Sequence, residues 1–161
     1  MTIFGKSISE YIRFQKVMLL LILIVGLGRL GLSLAGVSNG IGRWLSISVA
    51  MLLGVIVYAI RVPRTDFGGY RHLLPLIVIQ TALAQAIVIG GIILSIVTHK
   101  DNIYTAPEFS PPGSGQTWLH VIAHVIVIVV ASIVGWGIGS LLMLVVKKSG
   151  GSGHQSAAAR A

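Results

Sequence analysis

The sequence contains no cysteine. That absence excludes disulfides, thiolate metal centres, haem attached through cysteine, and cysteine nucleophiles. Acidic residues are almost as scarce: Glu10, Asp66, Asp101 and Glu108 are the complete set. None falls within a long apolar run, so a pair of membrane-embedded carboxylates for acid–base work is excluded. Serines are present, but no Ser/His/Asp order or nucleophile elbow accompanies them. Charged residues make up only 10% of the chain, against about 25% in soluble domains.

What is present is apolar. Hydrophobic residues form 55% of the chain and the mean hydropathy is +0.92. A chain of this composition cannot furnish a water-facing surface, so lipid is its principal solvent. Its 161 residues suit one small bundle with no separate soluble domain. The net charge is +8 and the pI about 10.5. In a soluble protein such a balance points to nucleic acid. Here the basic residues sit mostly at the ends of apolar runs, where anionic lipid headgroups account for them, and no basic face remains for nucleic acid.

Four apolar runs define an all-α integral membrane protein: residues 17–35, 44–60, 73–97 and 119–146. A span requires roughly 17–25 residues. Lys6, Arg13 and Lys16 precede the first run, Arg61, Arg64 and Arg71 lie between the second and third, and Lys147, Lys148 and Arg160 follow the fourth. The other two connections carry only Arg43 and Lys100. Positive residues stay cytoplasmic. Nine against two predicts an antiparallel four-helix bundle in the cell membrane with both termini inside. Trp44, Trp118, Tyr58 and Tyr104 fall near the expected interfaces.

Ile3, Phe4, Ile8, Tyr11 and Ile12 recur at helical spacing. They predict either an amphipathic helix along the inner leaflet or a cytoplasmic extension of the first helix. Ser33-Leu34-Ala35 resembles a signal-cleavage site, but Arg29 interrupts an apolar region already long for a signal, so the first run is read as a span. The 98–117 connection contains three prolines, Pro107, Pro111 and Pro112, and is expected to form a cap or a tether without regular structure. Residues 149–161 begin Ser-Gly-Gly-Ser-Gly and read as a flexible tail.

Gly26-Leu27-Gly28-Arg29-Leu30-Gly31 matches the dinucleotide pattern G-x-G-x-x-G. It lacks a preceding strand and a following acid, so close helix packing is the better reading. Arg29 shares a face with Gly26, Ser33 and Gly36. An intramembrane arginine costs about 2.5–3.5 kcal/mol on insertion scales. It either snorkels to headgroups or pairs with a ligand or with an acid such as Glu108 or Asp101. Gln80 and Gln85 on the third span either bond a neighbouring helix or line a polar path.

The sharpest signal is His120-x-x-x-His124 at the start of the fourth span. Spacing of four stacks both imidazoles on one face, a geometry that can chelate a divalent metal. The same face continues through Ala131, Gly135 and Gly139, a small-residue ladder that predicts an inward orientation. His99, Asp101 and Glu108 belong to the same end by topology, while His72 belongs to the opposite one. The expected site therefore comprises His99, His120 and His124 as metal ligands, with Arg29, Glu108 and Gln85 as ligand-binding residues, roofed by residues 107–115. Zn²⁺ or Cu²⁺ suits three imidazoles and a carboxylate. Haem b requires His99 opposite His120 or His124, since two ligands on one helix cannot be its opposed axial pair. A quinone headgroup bonded by a histidine is the third alternative and a proton relay the fourth, while ordinary hydrogen bonding at the interface or between helices accounts for both histidines without any ligand. The composition thus predicts a non-enzymatic membrane subunit or binding module. The alternative is a small transporter or channel acting as a homo-oligomer, because four helices enclose little pore.

Overall fold

The computed structural model describes residues 2–38, 40, 45–108 and 115–158, with side chains to residue 148. Arg43, Trp44 and residues 109–114 of the expected roof lie outside the described residues. Apart from a minimal hairpin, the regular structure of the described residues is helical. Strands β1 (Thr2–Ile3) and β2 (Lys6–Ser7) precede α1 (Ile8–Leu34), α2 (Ile47–Arg64), α3 (Tyr70–Thr98) and α4 (Trp118–Ala158). All four helices are long and apolar enough to cross a membrane, with the α4 span covering Trp118–Lys148.

The N-terminal segment meets the extension expectation from Ile8 onward, where α1 already runs, and departs from it in residues 2–7. Thr2 pairs with Ser7 and Ile3 with Lys6 in an antiparallel ladder. Phe4 and Gly5 carry the turn at φ 52° and 84°, the left-handed pair that a two-residue hairpin demands. Ser7 then caps α1. Its hydroxyl accepts from the Glu10 N–H, and the Glu10 carboxylate accepts from the Ser7 N–H at 2.7 Å. This capping box fixes the start of α1 and leaves residues 2–7 free to fold back.

The hairpin is clasped to the bundle by His72 in the first turn of α3. Its Nδ1 accepts from the Gly69 N–H at 3.0 Å and its Nε2 donates to the Phe4 carbonyl at 3.1 Å. One neutral tautomer satisfies both bonds. The Tyr11 hydroxyl donates to the Ile3 carbonyl at 2.9 Å. Around it, Phe14 stacks on Phe67 at 4.1 Å, Lys6 lies over Phe67, Arg61 over Phe14, and Lys147 over Tyr70. Cations above aromatic rings thus bring basic residues from β2, α2 and α4 to one end of the bundle, the hairpin end.

α3 is the central helix: 56% of its span is buried, against 6% for α4. Two apolar clusters form the core. One, around Tyr11, Tyr58, Leu73, Ile77 and Met143, fills the hairpin end. The other, around Ile22, Ile47, Ala84, Ile92 and Ile103, fills the opposite end. α4 packs one face against α2 and α3. A Cβ on Gly135 would lie 3.1 Å from Ile77, and one on Gly139 would lie 3.3 Å from Val55, so both glycines face α2 and α3. Of the Gly26-Gly28-Gly31 motif only Gly26 packs closely, against Ile87 and Ile47; Gly28 and Gly31 meet open space.

Candidate functional site

Residues 102–106 form a plug between α1 and α3. All five are buried. The plug folds on itself through Asn102. Its backbone N–H donates to the Thr105 hydroxyl, its carbonyl accepts from the Thr105 and Ala106 N–H groups, and its side-chain oxygen accepts from the Tyr104 N–H. Asn and Thr side chains supply such local turns readily. The Asn102 amide also donates to the Gly91 carbonyl at 2.6 Å, and the Ser95 hydroxyl donates to the Lys100 carbonyl. Tyr104 reaches across to α1, where its hydroxyl donates to the Gly26 carbonyl at 2.8 Å. Burial pushes the Tyr104 phenol up to about 12, opposed by the Arg29 charge, so it remains a donor. The Arg29 guanidinium lies over the Tyr104 ring at 5.7 Å.

Beside the plug is a cavity of about 440 Å³. Arg29 of α1, Ser48 of α2, Gln85 of α3, Tyr104 of the plug, and His120 and His124 of α4 line it. Its remaining walls are apolar and include Ile47, Met51, Val88 and Val127. A small number of convergent polar groups in an apolar cavity of this size is the usual form of a small-molecule site.

The histidines face inward along the small-residue face of α4. The His120 Nδ1 lies 2.9 Å from the Gly115 carbonyl. The His124 Nδ1 lies 2.6 Å from the Gln85 Oε1. The two Nε2 atoms lie 3.2 Å apart, with ring centroids separated by 4.9 Å. Gln85 therefore positions His124 from a second helix, and the loop backbone positions His120.

The structure thus gathers Arg29, Gln85, His120 and His124 into one site and leaves two expected members outside it. His99 is the exposed C-cap of α3 at φ 54°. That left-handed residue ends the helix and its side chain does not line the cavity. Glu108 is exposed beyond the plug and does not line it either. Asp101 accepts from the Gln116 amide at 2.9 Å. Among the described residues no group of three histidine, aspartate or glutamate side chains is placed to hold a metal. The expected three-histidine centre is not assembled. The opposed pair for haem b is likewise not assembled, because His120 and His124 share one helix and His99 stands apart.

Comparison with protein-family models, with curated proteins and with solved structures finds no match. Spacing alone did not single out Tyr104 and Ser48, which line the cavity, or Asn102, which shapes the plug that carries Tyr104. The signal available for the plug was turn chemistry, Asn102 and Thr105 enclosing the apolar pair Ile103-Tyr104.

Proposed function

We propose that this chain is a non-enzymatic membrane-embedded binding module. Its ligand occupies the cavity lined by Arg29, Gln85, Tyr104, His120 and His124. The observation that carries the reading is the convergence of these polar side chains, from three helices and the plug, on one largely apolar cavity. Four helices of spanning length surround it. The chemistry of the walls favours an amphipathic ligand with a ring-sized apolar body and an oxygen function, of which a quinone headgroup is one type. Arg29 attracts the oxygen, the Gln85 amide N–H can donate to it, and the two imidazoles border it. The reading as a binding module rather than an enzyme rests on the acidic residues, since none of the four lines the cavity.

The bundle belongs in a cell membrane in antiparallel order with both termini cytoplasmic. Supporting this, β2, the end of α2 and the end of the α4 span bring Lys6, Arg61 and Lys147 to aromatic rings at the hairpin end, as positive-inside sorting requires.

The test is solvent extraction of the purified protein followed by mass spectrometry, for the wild type and for Ala131→Trp, which fills the cavity. The wild type should release a small molecule that the variant lacks. Identical extracts from the two folded proteins overturn the reading.

A second reading, transport through an oligomer, is favoured by one further feature. A groove of about 190 Å³ shares Ser48, Met51 and Ala131 with the cavity and reaches Gln80 and Thr81. Gln80 Oε1 and Thr81 Oγ1 are buried there without a hydrogen-bond partner among the described residues. Ligand-dependent flux in liposomes would select this reading over a static module.

A further inference from the structure

We infer that the Nε2 atoms of His120 and His124 chelate one divalent transition-metal ion of the Zn²⁺ or Cu²⁺ class, its remaining positions filled by oxygen ligands within the cavity. This rests on the cavity reading above and names the group that its histidines bind.

The argument is a count of protons. The Gly115 carbonyl can only accept, so the His120 Nδ1 opposite it carries the ring hydrogen. The Gln85 Oε1 can only accept, so the His124 Nδ1 carries its own. A neutral imidazole has one N–H. Both Nε2 atoms are then bare lone pairs, and they face each other at 3.2 Å. Two lone pairs at that distance repel unless a proton or a metal ion sits between them, and a proton would place an imidazolium charge in the same largely apolar cavity as Arg29. His72 provides the contrast: its donor and acceptor sides each meet the complementary group.

The geometry fits a metal. Zn–N bonds of about 2.0–2.1 Å at a tetrahedral angle place two nitrogens about 3.3 Å apart. The observed separation is 3.2 Å. An axial pair on one haem instead stands on opposite sides of the iron, which adjacent turns of one helix do not permit. Metal-ligating histidines also characteristically donate their second nitrogen to a carbonyl or carboxylate, which fixes tautomer and ring orientation. Both rings do so here, one to the backbone and one to Gln85. Among the described residues only two protein donors are present, so the site is weaker and more exchangeable than a closed four-ligand structural centre. Its open positions face a cavity whose other wall carries Arg29, which favours an anionic or oxygen-rich co-ligand.

Gln85 is the deciding residue. With its amide reversed, Nε2–H would donate to His124 Nδ1, the His124 Nε2–H would donate to His120 Nε2, and the chain of bonds would close with no cation. Gln85→Glu cannot donate when ionised and so pins the accepting arrangement.

The experiment uses the full chain carrying His154→Ala, which removes adventitious binding by the tail. Zn²⁺ affinity is read by competition with a chromophoric chelator, and Co²⁺ binding by its visible absorption. One equivalent should bind, with the absorption of a four-coordinate ion. His120→Ala and His124→Ala should each abolish it, and His99→Ala should leave it unchanged. Gln85→Leu should weaken affinity about 10–100-fold, while Gln85→Glu should retain or raise it. Circular dichroism confirms that each variant is folded, and Gln85→Glu supplies a second route should an alanine variant fail to fold. Binding seen only in Gln85→Glu overturns the proposal for the natural chain, as does loss of binding with His99→Ala. Absence of metal binding with the Ala131-dependent extract intact sinks the metal alone. Loss of that extract difference sinks the cavity reading itself.

Discussion

Gly90 and Gly91 are adjacent in α3 and sit in opposite surroundings, which makes them a paired test of the plug. A Cβ on Gly91 would lie 2.5 Å from Tyr104 Cδ2 and 3.2 Å from Cε2; one on Gly90 would meet nothing within 4 Å. Carbon atoms pack best at about 3.5–4.0 Å, so Gly91→Ala forces the ring away by about 1 Å. That shift breaks the 2.8 Å bond from the Tyr104 hydroxyl to the Gly26 carbonyl. Overpacking costs about 1–3 kcal/mol and the lost bond about 1 kcal/mol. Both substitutions gain about 1 kcal/mol from removing a helical glycine, so that term cancels between them. Gly91→Ala should therefore be about 2–4 kcal/mol less stable than Gly90→Ala. Reversible unfolding in mixed micelles with a denaturing detergent, followed by tryptophan fluorescence, measures the difference. If the two variants agree within about 0.5 kcal/mol, the plug is not seated on Gly91 and the cavity loses its Tyr104 wall.

Gly135→Leu should destabilise the bundle, because a bulky group cannot enter the contact with Ile77 and Val55, whereas Gly137→Leu should be neutral, since Gly137 meets open space. The same micelle assay checks both. His72→Ala removes two hydrogen bonds at about 0.5–1.5 kcal/mol each and should speed amide exchange in residues 2–7 without altering the Gln85–His124 link. Single cysteines at Ser38 and Pro107 should react with an impermeant thiol reagent from outside the cell and one at Ser149 only from inside; the opposite pattern would reject the charge-based orientation.

The spans were legible because lipid leaves the backbone few options and demands long apolar runs. All four helices are longer than those runs, since helices do not stop where hydropathy does: α1 begins nine residues before residue 17, at the Ser7 capping box. Ile8, Tyr11 and Ile12 do extend α1, but Ile3 and Phe4 share their spacing without being helical, because the decisive information is the turn at Phe4-Gly5. The inward aim of His120 and His124 was legible from the small-residue ladder beneath them. The grouping of His99 and Glu108 with them was not. Topology assigns residues to an end of a bundle, but a left-handed C-cap and a plug that diverts the chain decide which side chains reach the cavity.

The plug also has a consequence for the order in which the protein is made. Its partners Gly26, Gly91 and Ser95 all precede it in the chain. A nascent chain can therefore seat residues 102–106 against α1 and α3 before α4 has emerged from the ribosome. His124 follows 18 residues after Ala106, about 1–4 s later at usual rates of elongation. During that interval the cavity exists as an open half-site, with Arg29, Gln85 and Tyr104 in position and no fourth wall. α4 arrives last, packs one face against α2 and α3, and brings both histidines with it. A ligand loaded at that moment enters sideways, through the place that α4 will fill, rather than through a finished bundle.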